Sequence, residues 1–541
     1  MPLITNPILP GFNPDPSICR VGDDYYIATS TFEWYPGVQL HHSRDLVNWR
    51  LLPQALNRKS QLDMRGEPDS CGVWAPNLQY ADGLFWLIYT DVRRYDGNYK
   101  DVFNYLVTAS SIEGPWSDPV YLNSSGFDPG MFHDDDGRKW LLNMVWDHRA
   151  TKGGSTDPAR LFHGIVMQEY DHAEKRLVGP ARRIFHRSPL GMTEGPNLTK
   201  HDGWYYLTVA EGGTGYNHAV THARSRDIWG PYELHPDIHV ITSRHAPDWP
   251  LQRAGHGQMV ELPDGSVYHT HLCSRPLRGP DGTRRSPMGR ETAIQKMYWG
   301  EDGWLHRSSG RLEPDVTVEA PNLPPAPVPD LPTRDDFDAP RLSPVFQWLR
   351  TPERDRIFSL TARPGHLRLY GRESIGSWYE QALVARRQTD FRYTASTTVE
   401  FSPRSFQQMA GLTAYYARDR FHYLHVTADD AGNRILSIQA CVGSYPDYKL
   451  QFPLENDILL PEDGPVHLKV EVDRNTLQFF YATEEADWRS VGPVLDASIL
   501  SDEAGKGEHG SFTGAFVGMA AQDLTGQVLA ADFDHFTYEA G

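Results

Sequence analysis

Over its first three hundred residues the chain alternates short apolar runs with polar turns, and the three-to-four-residue apolar spacing of helices is scarce. The pattern predicts an all-β chain of short strands separated by Gly and Asp turns. One unit recurs: "GDDYY" from Gly22, "DGLFW" from Asp82, "DGRKW" from Asp136, "DGWYY" from Asp202 and "DGSVY" from Asp264. Each is a tight-turn anchor followed four residues later by an aromatic, at separations of 60, 54, 66 and 62 residues. Asp-Gly supplies the positive φ angles of a hairpin turn, and the aromatic begins the return strand. Five such units predict a five-bladed β-propeller with four-stranded blades.

In a propeller the first strand of every blade lines the central axis, so equivalent positions converge at one end of one channel. Eight residues before the anchors stand Trp74, Asp128, Glu194 and His256; in the first unit Asp15 is seven before. These five side chains are expected around one pocket. Asp15 lies between Pro14 and Pro16, which remove backbone donors and are expected to hold the chain extended.

The propeller pattern stops near residue 310, after "YWGEDGWLHR". The proline-dense "EAPNLPPAPVPDLPTRDDFD" reads as a stiff linker. Beyond it, "YTASTTVEF", "HLKVEVD" and "TLQFFYA" are strands without the propeller repeat, as in a β-sandwich. The expected units are 1–318, 319–335 and 336–541.

Composition narrows the function. A net charge of −18 argues against nucleic acid or an anionic membrane as partner. No apolar run approaches membrane-spanning length, and "MPLITNPILP" lacks the basic and apolar regions of a signal peptide. Cys19, Cys71, Cys273 and Cys441 are too widely spaced for a metal knuckle or a disulfide framework, so a reducing cytoplasm is expected. The 22 Phe, 15 Trp and 26 Tyr, many near turns, suit stacking on sugar faces, although any single ring is as well explained by core packing.

Three carboxylates converging on one pocket repel one another, so at least one must hold its proton near neutrality. A protonated acid beside an ionised base is what glycoside hydrolysis needs. Taken singly, Asp128 in "GFDPGMF" also reads as a turn aspartate and Glu194 in "MTEGPNL" as a loop cap. Their shared place in the repeat favours the catalytic reading.

The motifs "GFNPDPSI", "WAPNL", "GFDPGMFHDDDGRKWLLNMVWDHR", "TEGPNL", "GHGQMV" and "GRET", with "FQWLR", "LVARRQ" and "FTGAFVGM" in the second half, resemble the two-domain β-xylosidases of glycoside hydrolase family 43. The resemblance spans nearly the whole chain. It implies an exo-acting, inverting hydrolase that releases D-xylose from the non-reducing end of β-1,4-xylo-oligosaccharides, with α-L-arabinofuranosidase as side or main activity. A non-catalytic carbohydrate-binding protein is the alternative from another class.

By the same resemblance Asp15 is the general base, Glu194 the general acid and Asp128 the residue that raises and orients that acid. Arg290 and His256 bind sugar hydroxyls, Phe32 and Trp74 form the aromatic wall of the −1 subsite, and Phe127 lies near the +1 sugar. Phe512 is inserted by a sandwich loop that closes one side of the pocket. Such enzymes often carry two adjacent phenylalanines there; this chain has Ser511 before Phe512. The chemistry requires no cofactor. In relatives a histidine placed like His271 can face a divalent cation, often calcium, on the propeller axis, but a lone strand histidine is more often simply hydrogen-bonded. Dimers or tetramers are common among relatives.

Overall fold

The computed structural model describes residues 2–97, 99–443, 449–484, 487–505 and 510–541. Among them the only α-helix is the single turn Arg354–Ile357, and no helix is long and apolar enough to cross a membrane.

The five repeated turns each join the first two strands of a four- or five-stranded antiparallel sheet. The innermost strands are Ser17–Val21, Gly72–Ala81, Gly130–His133 and Glu194–His201, with Gln252–Gly255 and Met259–Glu261 together in the fifth blade. Asp82-Gly83 and Asp202-Gly203 have positive φ at both residues, the turn that matches strand twist. The aromatics that follow, Tyr26, Trp86, Trp140, Tyr206 and Tyr268, lie on the second strands, and the last four are buried. The chain begins by running along the fifth blade: Leu3–Thr5 pairs with Thr317–Glu319, and Leu9 and Thr292 exchange backbone hydrogen bonds. This lacing ties the first and last blades together.

Arg334–Asp335 already pairs with the strand Ala530–Ala540, so the second body takes up the chain there. It consists of two facing antiparallel sheets. Strands such as Val466–Asp473 alternate buried and exposed side chains, as one-sided burial requires. The propeller contributes to one of these sheets. Trp34–Tyr35, a two-residue strand leaving the first blade, pairs with Phe346–Leu349. Trp34 is fully buried and stacks on Phe516 with ring centroids 3.6 Å apart. One apolar cluster runs from Phe32, Trp74 and Phe127 to Tyr415, Phe421 and Phe516, so propeller and sandwich share a core.

Candidate active site

Every innermost strand is kinked at its upper end. Asp15 (φ 56°), Ala75 (30°), Asp128 (54°), Gly195 (59°) and His256 (40°) all adopt left-handed backbone, and each is followed by proline except His256, which precedes Gly257. This corrects two expectations. Asp15 is not in extended backbone; the proline after it terminates a left-handed kink. The equivalent residues are seven before the turn anchor in blades one, two and four, but eight before it in blades three and five. Glu194 and Trp74 therefore stand one residue ahead of the kink, while Asp15, Asp128 and His256 stand on it. Gly257 is required by crowding: a Cβ there would lie 1.7 Å from the Thr270 carbonyl oxygen.

The kinks turn five side chains into one cavity of about 420 Å³, which Asp15, Trp74, Asp128, Glu194 and His256 all line. Phe32, Phe127, Arg290 and Phe512 line it too, so the structure brings every expected site residue except His271 to one place. Two residues below the kink in four of the five blades, Ser17, Asn77, Asn197 and Gln258 form a polar floor, while the third blade has Gly130 there. Ser17 Oγ donates to Gln258 Oε1 (2.6 Å), and Asn77 Nδ2 donates to Asn197 Oδ1 (2.7 Å). The void at this level is only about 10 Å³, so the cavity is blind along the axis.

Asp15 is held on both oxygens. Arg290 Nη1 donates to Oδ1 (2.9 Å) and Ser30 Oγ to Oδ2 (2.6 Å), while Ser30 Oγ accepts from the Ala75 N–H (2.7 Å). The His256 ring lies between the aspartates, with Nδ1 3.9 Å from Asp15 Oδ1 and 3.8 Å from Asp128 Oδ2. Burial lowers the affinity of that imidazole for a proton. Glu194 is buried, and its Oε1 has no hydrogen-bond partner in the protein. Burial, reinforced by the Asp15 charge, pushes its carboxyl up to about 8; Lys100 and Arg290 pull the other way. Burial and the charges of Glu194 and Asp15 also hold Asp128 well above the usual carboxylate range. The pocket therefore combines an arginine-bound Asp15 with a Glu194 carboxyl that retains its proton at neutral pH.

The match to known proteins follows the same boundaries as the structure. Residues 4–305 match the model of glycosyl hydrolases family 43, and residues 334–539 that of the beta xylosidase C-terminal concanavalin A-like domain. The chain belongs to glycosyl hydrolases family 43. The xylosidase/arabinosidase 43B of Humicola insolens is 56% identical over 548 residues, covering 99% of this chain and 98% of its own. A xylan 1,3-beta-xylosidase of a Vibrio species is 48% identical over 544 residues, with 99% of each covered. The crystal structure of the xylan beta-1,4-xylosidase from Bacillus halodurans C-125 superposes with a TM-score of 0.95 at 52% identity, covering 99% of this chain and 100% of that one.

In this family 43 hydrolase the side wall of the pocket comes from the sandwich. Phe512 packs against Phe32, Trp74 and Tyr95, with ring centroids 6.3, 5.6 and 5.3 Å away. Its carbonyl accepts from Arg290 Nη2 (3.0 Å) and its N–H donates to Ser70 Oγ (3.1 Å). Ser511 turns away from the cavity; it is buried, and its hydroxyl accepts from Arg420 Nη2 (2.8 Å). The residue before Phe512 thus serves the sandwich and does not line the sugar pocket. An ion pair anchors the same wall: fully buried Arg253 donates to Asp502 Oδ2 (2.8 Å) and to the carbonyl of the pocket-lining Thr214 (2.8 Å). Tyr416 bridges Asp502 to the Thr513 N–H.

His271 does not fit a cation ligand. Its Nδ1 hydrogen-bonds the Leu272 carbonyl (2.9 Å) and its Nε2 faces Gln295 Nε2 (3.1 Å), so both ring nitrogens are used within the fifth blade. Burial makes the ring hard to protonate, as expected of a packed core histidine. The grouped ligating side chains found among the described residues, His235, Asp237 and His306, lie elsewhere and already bond internally or to Asp302.

Sequence reasoning did not single out Lys100, Trp146, Met192 and Thr214, which also line the cavity. Lys100 Nζ donates to the Tyr95 carbonyl (2.9 Å) and lies 4.3 Å from the Trp146 ring centroid and 5.7 Å from those of Trp74 and Phe127. Burial lowers it to about 8. Trp146 belongs to the quoted third-blade motif and could have been found there; nothing in the sequence distinguishes Lys100 from a surface lysine.

Proposed function

We propose that this enzyme removes D-xylose from the non-reducing end of β-1,4-xylo-oligosaccharides in a single inverting displacement. The observation that carries the reading is Glu194: a buried carboxyl, protonated up to about pH 8, with an unpartnered oxygen in the same blind cavity as the arginine-bound Asp15. A buried carboxyl left unpaired is costly unless something else uses it, and here a leaving-group oxygen does.

In this reading Glu194 gives its proton to the glycosidic oxygen. Asp15 takes a proton from the attacking water on the opposite face of the sugar. The Arg290 guanidinium and the Ser30 hydroxyl fix the Asp15 carboxylate, so that little reorientation is needed during the displacement. Asp128, which shares the burial of Glu194, orients the acid, while burial and the Asp15 charge keep Glu194 protonated. Phe32, Trp74 and Phe512 take the apolar face of the −1 sugar, His256 and Arg290 its hydroxyls, and Phe127 the +1 sugar. The polar floor and the Phe512 wall admit a chain end and exclude a through-running chain, which makes the action exo.

Proton NMR of β-1,4-xylobiose hydrolysis tests the reading. Xylose should appear first as the α-anomer; first appearance of the β-anomer refutes the single displacement. Running β-1,3-xylobiose alongside decides the linkage, because relatives named for each linkage lie at similar identity. The name of the Humicola insolens relative, which pairs two activities, favours α-L-arabinofuranosidase as a second activity of the same pocket. Turnover of nitrophenyl xyloside and arabinofuranoside measures their ratio. Residence in the cytoplasm fits four buried, unpaired cysteines, and light scattering checks the dimer or tetramer that the resemblance implies.

A further inference from the structure

A second cavity, of about 200 Å³, lies between the two bodies of the molecule. Its walls come from the N-terminal segment, the outer part of the first blade, the proline-rich connection and the sandwich strand Ala382–Arg387. Two arginines at the end of that strand, Arg386 and Arg387, face it.

Neither guanidinium meets a carboxylate. Arg386 is 8% exposed, yet among the described residues its side chain donates no hydrogen bond and forms no ion pair; its guanidinium lies over the face of Tyr538, 4.2 Å away. Its Nε is buried without a partner. Arg387, 6% exposed, donates from Nε to the Phe12 carbonyl (2.6 Å) and from Nη1 to Gln347 Oε1 (2.5 Å), and its Nη2 is buried without a partner. Asp390, whose charge reaches Arg386 only at a distance, accepts instead from Thr389 Oγ1 (2.7 Å). Burial without a counter-ion lowers both groups, Arg387 to about 9, and leaves them cationic at neutral pH.

An uncompensated buried charge is strongly destabilising. Across a chain of net charge −18, carboxylates are plentiful, and elsewhere buried arginines find them: Arg253 has Asp502, Arg290 has Asp15 and Arg350 has Asp69. Among the described residues buried Arg434 also lacks an ion pair, but it stands alone; Arg386 and Arg387 are adjacent and border one cavity, which marks a place where the counter-charge comes from outside the chain. The rest of the lining suits more than a bare ion. Trp49 and Leu331 offer apolar surface, and the Asn13 Oδ1 and His41 Nδ1 atoms are buried without partners. At roughly 30 Å³ per water, the cavity has space for about seven waters or a body near the size of one sugar ring.

We propose that this interdomain pocket binds a small organic oxyanion. Arg386 takes a carboxylate or phosphate head through its uncommitted donors, Arg387 adds its charge beside it, and Trp49 packs against a body of about one sugar ring. The pocket is distinct from the catalytic cavity but backs onto it: Pro10 and Asn13 line one, Asp15 the other.

Calorimetric titration of the full-length enzyme with glucuronate, glucose 6-phosphate and neutral glucose tests this. At least one of the two anions should bind and glucose should not; which anion binds more tightly tells a carboxylate source from a phosphate source. Arg386→Met should weaken binding at least about tenfold. Trp49→Ala, at a partly exposed position where misfolding is less of a risk, should weaken the sugar anion several-fold and leave inorganic phosphate unchanged. No binding of either anion, or equal binding by wild type and Arg386→Met, overturns the proposal. So does binding of glucose as tight as that of the anions.

Discussion

Two groups of buried acids lie near each other in this molecule, and they have opposite meanings. One is the pocket trio Asp15, Asp128 and Glu194. The other, where the first two blades meet the sandwich, consists of Glu33, Glu67, Asp69 and Asp91 around fully buried Arg350. Burial raises Glu33 to about 8, as it does Glu194, and it raises Glu67 and Asp91 as well. Each group contains one arginine bonded to an aspartate. The difference lies in what the raised carboxyls face: Glu67 and Asp91 each also keep an oxygen without another partner, but they interact with each other and neither lines the aromatic-walled cavity. At the interface the Glu33 carboxylate accepts from the Ser70 N–H (3.1 Å). Arg350 uses its remaining donors on the Glu67 carbonyl (2.7 Å) and Gln381 Oε1 (2.8 Å). In the pocket, Glu194 Oε1 and Arg290 Nε are left without protein partners and border an aromatic-walled cavity. A raised carboxyl marks a candidate for chemistry only where it opens on a cavity that a substrate can enter.

The sharpest way to break the comparison is to remove one acid from each group. Asp15→Ala should lower turnover of xylobiose by roughly 10²–10⁴-fold, the range of a positioned base, with the melting temperature little changed. Wild-type turnover in that variant would remove Asp15 from the mechanism. Glu194→Gln should lose about 10²-fold or more on xylobiose and clearly less on nitrophenyl xyloside, whose leaving group needs little protonation. Equal losses on both substrates would count against the acid.

The pH dependence gives an intermediate effect. As the proposed acid, Glu194 acts while protonated, so kcat/KM should be sustained up to about pH 8 and fall above it. The Lys100 charge lowers the Glu194 pKa, so Lys100→Met should move this descending limb to higher pH. A limb that stays in place or moves down would contradict that electrostatic account.

The smallest effect on catalysis is expected at the interface. Glu33→Gln keeps an acceptor for the Ser70 N–H and should leave kcat within about twofold, since Glu33 supplies no step of the reaction. Its effect should be on stability. The unfolded Glu33 ionises near 4.5 while the folded one stays protonated to about 8, so the folded state binds the extra proton in that window. Wild-type stability therefore falls as pH rises from about 4.5 to 8, and the glutamine variant lacks this contribution. Below that window the two proteins should be alike; by pH 8 the variant should be more stable, by on the order of 1–3 kcal/mol. Denaturant melts at both pH values check the sign.

Much of the fold could be read from the chain because turns are local. Asp-Gly at Asp82 and Asp202 demands positive φ whatever surrounds it, and the aromatic four residues on repeats with it. The meeting of Asp15, Asp128 and Glu194 followed from counting within that repeat. The count was one residue off in frame, because the stretch between kink and turn has different lengths in different blades. The motifs hid this, since a side chain one position ahead of a left-handed kink still reaches the same cavity, as Glu194 and Trp74 do. The direction of Ser511 was not legible: nothing local distinguishes a side chain facing sugar from one facing Arg420 on another strand.

By itself the sequence determined the strands, their turns, the five-fold count, the second all-β body and the acids available for chemistry. These depend on side-chain alternation and on backbone preferences a few residues long. Only the tertiary structure decided that Glu194 keeps an unpaired oxygen in the cavity, that the Lys100 charge acts on Glu194, that Trp34–Tyr35 joins a sheet of the other body, and that Arg386 and Arg387 have no carboxylate. Burial and electrostatic environment are set by groups hundreds of residues apart in the chain, and no local pattern encodes them.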